Sequence, residues 1–333
     1  MNKKLVSIVM CTYNGEKYIR EQLDSILRQT YPIYEMIIQD DGSTDSTVAI
    51  LKEYAARNAM VKLFHNEGEH GINQNFYSAM HRATGDYIAI SDQDDVWSLD
   101  KIERQINAIG DKAMCSGLSI RFNGDDRRPQ SDTRTPNYNL LRITCDAEIP
   151  GHTILMRRDW FESLPFSNPI FKERMYDYAL SFTAAVTDDI VWVTPSVEDD
   201  RQLHPLVWHR YFQEEATYIP QNEIPKKSNA LRIFLWCTCH YRQLRKCGRP
   251  TYVTKERLIC DLNAHTQIAQ DGLELNRLLQ EPGLIGFFRL QKFCLKHREQ
   301  IFHTKGRDPF NIIYALIFPI TSCWYLRNLL PKT

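Results

Sequence analysis

Gly85-Asp86-Tyr87-Ile88-Ala89-Ile90-Ser91-Asp92-Gln93-Asp94-Asp95-Val96-Trp97 is the stretch on which the reading of this 333-residue chain turns. The apolar run 86–90 has the length and composition of a buried strand, and it runs straight into a cluster of carboxylates. Carboxylates held this close repel one another unless a cation sits between them or one takes up a proton. Hard divalent cations, Mg²⁺ or Mn²⁺, accept such oxygen ligands and complete their shell with phosphate oxygens and water. The competing reading is an acidic turn that caps a helix over 99–109, where Asp is also favourable.

Upstream, strand and helix signals alternate. The apolar run 5–11 predicts a first strand that ends at the Asn14-Gly15 turn. Tyr18, Ile19, Leu23, Ile26 and Leu27 recur on one face of a helix that stops before Tyr31-Pro32. A second strand, 34–39, leads into Asp40-Asp41-Gly42-Ser43-Thr44-Asp45, where Ser43 or Thr44 is placed to cap the next helix. A third strand at 61–64 and a third helix at 73–83 complete the run up to strand four. This order predicts an α/β fold with a largely parallel sheet covered by helices. In such sheets ligands collect at the carboxyl ends of the strands. Thr12-Tyr13-Asn14, Asp40-Asp41 and residues 91–95 all fall there, so they are expected to form one site. In the 40–45 turn, the functional reading is a carboxylate that accepts from a pyrimidine ring N–H, with Thr12 and Tyr13 on the other side of the base. The plain reading is an ordinary Asp-Gly-Ser turn.

Together these segments resemble the signatures of family 2 glycosyltransferases: residues 7–15, 40–45 and 85–97, with Gln29-Thr30-Tyr31 closing the first helix. The resemblance covers the first 110 residues strongly and the next 100 more loosely. It implies a GT-A fold and an inverting transfer of sugar from a nucleotide-diphosphate donor, UDP- or dTDP-linked, to a glycan or lipid-linked glycan acceptor in surface-polysaccharide assembly. By the same resemblance, Thr12, Tyr13, Asn14 and Asp40 or Asp41 hold the nucleoside, with Asp92 beside them. Asp92 and Asp94 form the motif for Mn²⁺ or Mg²⁺, with Asp94 as the direct ligand. Related bacterial cell-surface enzymes carry His-Asp on a helix beyond this loop; here Tyr176-Asp177-Tyr178 stands in that place, so Asp177 is the expected general base. Those relatives also show Arg-Gln-His, where this chain has Arg201-Gln202-Leu203-His204, one residue longer. Arg201 is then the candidate diphosphate contact and His204 the candidate further metal ligand. Gly151-His152-Thr153 resembles the loop beside the acceptor pocket. Trp97 is read either as a platform for a sugar ring or as core.

Beyond residue 110 the pattern is mixed, with strands expected at 113–121 and 190–194, a polar loop around 125–136 and a helix over 175–186. After Pro220, helices are expected at 230–244, 259–279, 286–302 and in the apolar stretch 310–330, which gives a catalytic region 1–215 (nucleotide-sugar side 1–110, acceptor side 111–215) and a helical extension 216–333. Net charge is zero, but residues 221–333 hold 18 Lys/Arg against 8 Asp/Glu, leaving the first part acidic. Phe287, Phe288, Leu290, Phe293 and Leu295, mixed with Arg289, Lys292, Lys296 and Arg298, have the make-up of a membrane-surface helix. Peripheral contact with the inner face of the cell membrane is therefore expected of an otherwise cytoplasmic protein, with packing against the catalytic part as the alternative. No run of about 20 uninterrupted apolar residues predicts a spanning helix, and no nucleic-acid partner is expected.

Nine scattered cysteines, mostly inside apolar runs, read as reduced core thiols. Cys237-Thr-Cys239-His240 lacks a spaced second pair and reads as packed helix, not zinc. Lys3-Lys4 before the first apolar run has no cleavage site after it and is not read as a signal peptide. The chain has no Gly-x-Ser-x-Gly and no P-loop motif, which disfavours a serine hydrolase and a P-loop enzyme, and it has no Gly-rich phosphate loop of a sugar-phosphate nucleotidyltransferase. The remaining rival is a non-catalytic sugar-nucleotide-binding or scaffold protein on the same fold.

Overall fold

A computed structural model describes residues 3–123, 138–145, 147, 149–197, 203–211, 230–302 and 310–330. Arg201, the polar loop at 125–136 and the expected boundary at 215/216 lie outside these residues.

Strands β1 (Val6–Thr12), β2 (Glu35–Asp40), β3 (Val61–His65) and β4 (Tyr87–Ser91) alternate with helices α1 (Ile19–Leu27), α2 (Thr47–Arg57) and α3 (Ile72–Met80). After β4 come β5 (Val96–Trp97), α4 (Lys101–Ile109), β6 (Met114–Gly117), β7 (Ser119–Phe122), α5 (Leu140–Thr144), β8 (Leu155–Arg157), α6 (Arg158–Glu162), α7 (Ile170–Glu173) and α8 (Tyr176–Val186). Strands β9 (Ile190–Val193), β10 (Ser196–Val197), β11 (Leu203–His204) and β12 (Val207–Arg210) follow. Helices follow among the later described residues: α9 (Ala230–Asp261), α10 (Gln267–Gln280), α11 (Leu284–Lys296), α12 (Arg298–Ile301), α13 (Phe310–Thr321) and a 3₁₀ segment, Ser322–Leu329.

The main sheet has seven strands in the order β3-β2-β1-β4-β8-β6-β9. Its pairs are parallel except where β8 runs antiparallel to β4 and β6. Alternation along β1 builds both layers: Val6, Ile8 and Met10 join α1, α2 and α4 residues on one face, while Val9 joins Phe76 and Met80 of α3 on the other. Burial of apolar side chains on both faces explains why β2 is buried at every position. A separate core of Leu244, Tyr252, Leu275, Leu290, Phe293, Phe318 and Leu326 joins the C-terminal helices. Lys255 ties them to the catalytic part through the carbonyl of Thr144, at 3.0 Å.

Three expectations need correction. The single strand expected at 113–121 is two: β6 lies in the main sheet, whereas β7 belongs to a second sheet, β5-β12-β7. The helix expected to end at 244 continues as α9 through Pro250 to Asp261. Gly248 there is a place of close approach, because a Cβ on it would lie 2.6 Å from Leu326 Cδ1. Helix α2 starts behind Ser46, not Ser43 or Thr44; Ser43 is engaged instead by Asp40 and Asn14.

Candidate active site

Because β2, β1 and β4 are neighbours in the sheet, the loops that leave their carboxyl ends converge. Asp40 is consumed in holding this junction. It accepts from Thr12 Oγ1 at 2.8 Å, from the backbone N–H groups of Gly42 and Ser43 at 3.1 and 2.9 Å, and from Ser43 Oγ at 2.6 Å. Asp41 is the one of the pair that lines a cavity. It accepts from Asn66 Nδ2 at 2.5 Å and the Gly71 N–H at 2.9 Å, and His70 Nδ1 lies 2.9 Å away. Burial opposes its ionisation, but these bonds outweigh burial and hold the carboxyl below its usual range. Asn14 adopts φ 49° and staples the first loop to the second: its N–H donates to Ser43 Oγ and its Oδ1 accepts from the Thr44 N–H, both at 2.9 Å. Asn14 is therefore part of the frame.

Gln93, which the sequence reading passed over, braces the first loop to the third. Its Oε1 accepts from the Tyr13 N–H and its Nε2 donates to the Tyr13 carbonyl, each at 3.0 Å. Gly15 leaves the room for this, since a Cβ there would sit 2.3 Å from Gln93 Oε1.

Two cavities meet at this edge and share Ile72, Phe76 and Asp92. The first, of about 310 Å³, is lined by Thr12, Tyr13, Asp41, Asn75, Gln93 and Asp94. The second, of about 540 Å³, is lined by Ser119, Arg121, Gly151, His152, Tyr176, Asp177 and His209. Thr12, Tyr13, Asp41, Asp92, Asp94, Gly151, His152 and Asp177 thus line two adjoining cavities.

The acidic loop is electrostatically crowded. Asp94 is pushed up to about 7, by burial first and then by the charges of Asp95 and Asp92. Burial also pushes Asp92 up, yet the hydrogen bond from His152 outweighs it and lowers the carboxyl. His209 shows the mirror image: burial lowers it, but the bond to Asp95 raises it further. His152 Nδ1 lies 3.1 Å from Asp92 Oδ2 and 3.3 Å from Asp95 Oδ2. Asp95, 0% exposed, keeps Oδ2 without a hydrogen-bond partner. Among the described residues, Asp95, His152 and His209 present ligand atoms within 4.8 Å of one another. An orphaned, buried carboxylate oxygen beside two imidazoles fits a divalent cation.

His209 arrives there through register. Strand β12 runs antiparallel to β5 with Trp208 opposite Val96, which sets His209 against Asp95, Nδ1 to Oδ1 at 2.9 Å. A separation of 114 residues leaves no local signal for this pair. His204 lies in β11, where its carbonyl is 3.4 Å from Arg104 Nη2, and it lines neither cavity. Trp97 takes the core reading: it is buried, with Lys101 Nζ 3.8 Å above its ring.

Asp177 sits in the first turn of α8, where its carboxylate accepts from the Tyr178 N–H at 2.7 Å and is favoured by the helix dipole. Tyr176 stacks on Phe76 with centroids 4.2 Å apart and fills the place a Cβ on Gly151 would need, 2.1 Å from its hydroxyl.

A mostly parallel sheet with acidic loops at its carboxyl edge has the architecture of the GT-A fold class. The sequence profile "Glycosyl transferase family 2" matches residues 7–165. The Escherichia coli UDP-Glc:alpha-D-GlcNAc-diphosphoundecaprenol beta-1,3-glucosyltransferase WfgD is 37% identical over 186 residues, 53% of this chain and 69% of that protein. An uncharacterized glycosyltransferase of Haemophilus influenzae is 25% identical over 250 residues, 74% of this chain and 92% of that one. Among solved structures, S. aureus TarS 1-349 in complex with UDP-GlcNAc superposes with a TM-score of 0.52 at 19% identity, covering 97% of this chain and 90% of that one. The chain belongs to glycosyltransferase family 2, and it is a glycosyltransferase.

Proposed function

We propose that the protein is an inverting transferase that moves a sugar from a UDP- or dTDP-linked donor to a hydroxyl of a glycan or lipid-linked glycan during surface-polysaccharide assembly. The observation that carries this reading is the pair of cavities sharing Asp92, one with Thr12, Tyr13, Asp41 and Asp94 on its walls and the other with Asp177. The relative that acts on UDP-Glc and a diphosphoundecaprenol-linked sugar supports the donor and acceptor classes. A non-catalytic scaffold on the same fold is disfavoured by the transferase relatives and by the gathered carboxylates.

In this reading the first cavity takes the nucleotide. Asp41 is the carboxylate available to a base N–H, because Asp40 is spent on the turn. Asp177 takes the proton of the acceptor hydroxyl as that oxygen attacks the anomeric carbon, and the bond from that carbon to the diphosphate breaks on the opposite side. Holding donor and acceptor in line across the shared wall removes orientational entropy from the barrier. A divalent cation at the acidic loop, Mn²⁺ or Mg²⁺, supplies neutralisation of charge on the departing diphosphate.

The C-terminal helices support peripheral contact with the cytoplasmic face of a membrane. Helix α13 leaves Phe310, Ile312, Ile313, Tyr314 and Leu316 exposed, and α11 leaves Leu284, Ile285 and Phe288 exposed beside Arg289 and Lys292. The stretch Phe310–Leu329 is also long and apolar enough to cross a membrane by length and composition, with 33% of its most apolar 18 residues buried in the fold.

The reaction is tested by screening nucleotide sugars for metal-dependent release of the nucleoside diphosphate, and then by Asp177→Asn with the donor found. Loss of at least about 100-fold in kcat with donor affinity retained is expected; transfer at near wild-type rate removes Asp177 from the role.

A further inference from the structure

The cation site can be specified further than the acidic loop alone allows. His152 Nε2 lies 2.8 Å from Ser119 Oγ. In one tautomer the Ser119 hydroxyl donates to Nε2 and Nδ1–H bonds Asp92; in the other Nε2–H donates to the hydroxyl and Nδ1 carries a lone pair that faces Asp92 Oδ2 at 3.1 Å and Asp95 Oδ2 at 3.3 Å. In that second tautomer three acceptors face one another, an arrangement that positive charge between them relieves. A single proton on Nδ1 serves the contact with Asp92 and leaves Asp95 Oδ2, wholly buried, without a partner. His209 stacks on His152 with centroids 4.6 Å apart and planes 17° apart, and its Nδ1 is 2.9 Å from the other oxygen of Asp95. Two imidazoles and a carboxylate therefore converge from three separate segments, with Ser119 hydrogen-bonded to the far nitrogen of one ring, the place of an outer partner to a ligating histidine.

We infer that Asp95, His152 and His209 form a nitrogen-rich cation site that binds Mn²⁺ and related transition ions without nucleotide and discriminates against Mg²⁺. Imidazole suits transition ions, whereas Mg²⁺ holds to oxygen ligands and keeps its water. The inference deepens the transferase reading by naming the ion's protein ligands, and it differs from the expectation that Asp92 and Asp94 supply them. Asp92 and Asp94 would then serve the donor from the rim of the same site.

The test uses the full chain freed of metal and nucleotide, titrated calorimetrically with MnCl₂, ZnCl₂ and MgCl₂, with pulsed electron paramagnetic resonance on the Mn²⁺ sample. Mn²⁺ is expected to bind at least about tenfold more tightly than Mg²⁺, with Zn²⁺ tighter than Mn²⁺, and the resonance is expected to show coupling to imidazole ¹⁴N. His209→Ala and His152→Ala should abolish that coupling and Ser119→Ala should weaken binding by about tenfold, while Asp94→Asn retains nucleotide-free binding. Equal affinity for Mg²⁺, or bound Mn²⁺ with no ¹⁴N coupling in the unaltered protein, overturns the inference, and neither result depends on how a variant folds. If Mn²⁺ binds only with UDP and is lost in Asp94→Asn but not in His209→Ala, the two-histidine site is wrong and the transferase reading still stands.

Discussion

Single residues decide what this site can do, and several are spent on holding it together. Glu35, on β2, is 2% exposed at its side chain, accepts from Ser7 Oγ and Thr84, and is paired with Lys62 Nζ at 2.6 Å. Burial alone would raise its carboxyl, but the bonds from Lys62, Ser7 and Thr84 outweigh burial and lower it from 4.5 to about 2. A carboxyl depressed in the folded state contributes stability that is complete above its unfolded value and is lost as pH falls toward the folded one. Glu35→Gln should therefore cost about 1–2 kcal/mol at neutral pH, after discounting for the half-exposed Lys62. The cost should shrink between about pH 4.5 and 2. Urea unfolding of both proteins across that range checks the sign and the window. At this same scale the sequence was legible in part. Asp41, Asp92, Asp94 and Asp177 could be picked out because they follow strands or open a helix in the order of a known family. His209 could not, because nothing near it in the chain refers to Asp95. Trp97 stayed ambiguous because an aromatic beside an acidic loop has the same appearance whether it faces solvent or core.

Elements carry the next layer of information. The parallel order of β1 to β4 was readable from apolar runs that alternate with helical periodicity, and the observed bounds fall within a few residues of the expected ones. Beyond residue 110 legibility falls, because short strands pair by register with distant partners. The break at Leu118 between β6 and β7 changes sheets with a lone Gly117 before it and no proline or polar turn, and α9 crosses Pro250 because packing of Leu244, Tyr252 and Leu258 outweighs one lost backbone bond. The loop elements also make a prediction of their own. The reciprocal bonds of Gln93 with Tyr13 need the space beside Gly15. Gly15→Ala should displace Gln93 and loosen the wall of the first cavity, reducing kcat/KM for the donor by about tenfold to 100-fold. Steady-state kinetics with the thermal midpoint measured alongside will show whether the loss is local; an unchanged kcat/KM would mean the brace has no bearing on donor binding.

At the scale of the whole chain, charge is divided along the sequence: residues 1–220 are acidic and residues 221–333 basic. This asymmetry was visible in composition, but only the structure shows that α13 turns five bulky apolar side chains outward in one short helix. Substituting Ile312→Glu and Ile313→Glu together should reduce co-sedimentation with vesicles containing anionic lipid at least several-fold, since each removes apolar contact and adds repulsion. Release of nucleoside diphosphate from the donor should persist in the same variant. Undiminished sedimentation would assign the face to another partner.

Strand β12 sets the order in which the site can be completed. The first four strands can pair while the later chain is still being made, but the imidazole that reaches Asp95 belongs to residue 209 and arrives only when β12 zips between β5 and β7. Under the proposed reading, a nascent polypeptide owns the walls of the first cavity before the cluster of Asp95, His152 and His209 can close.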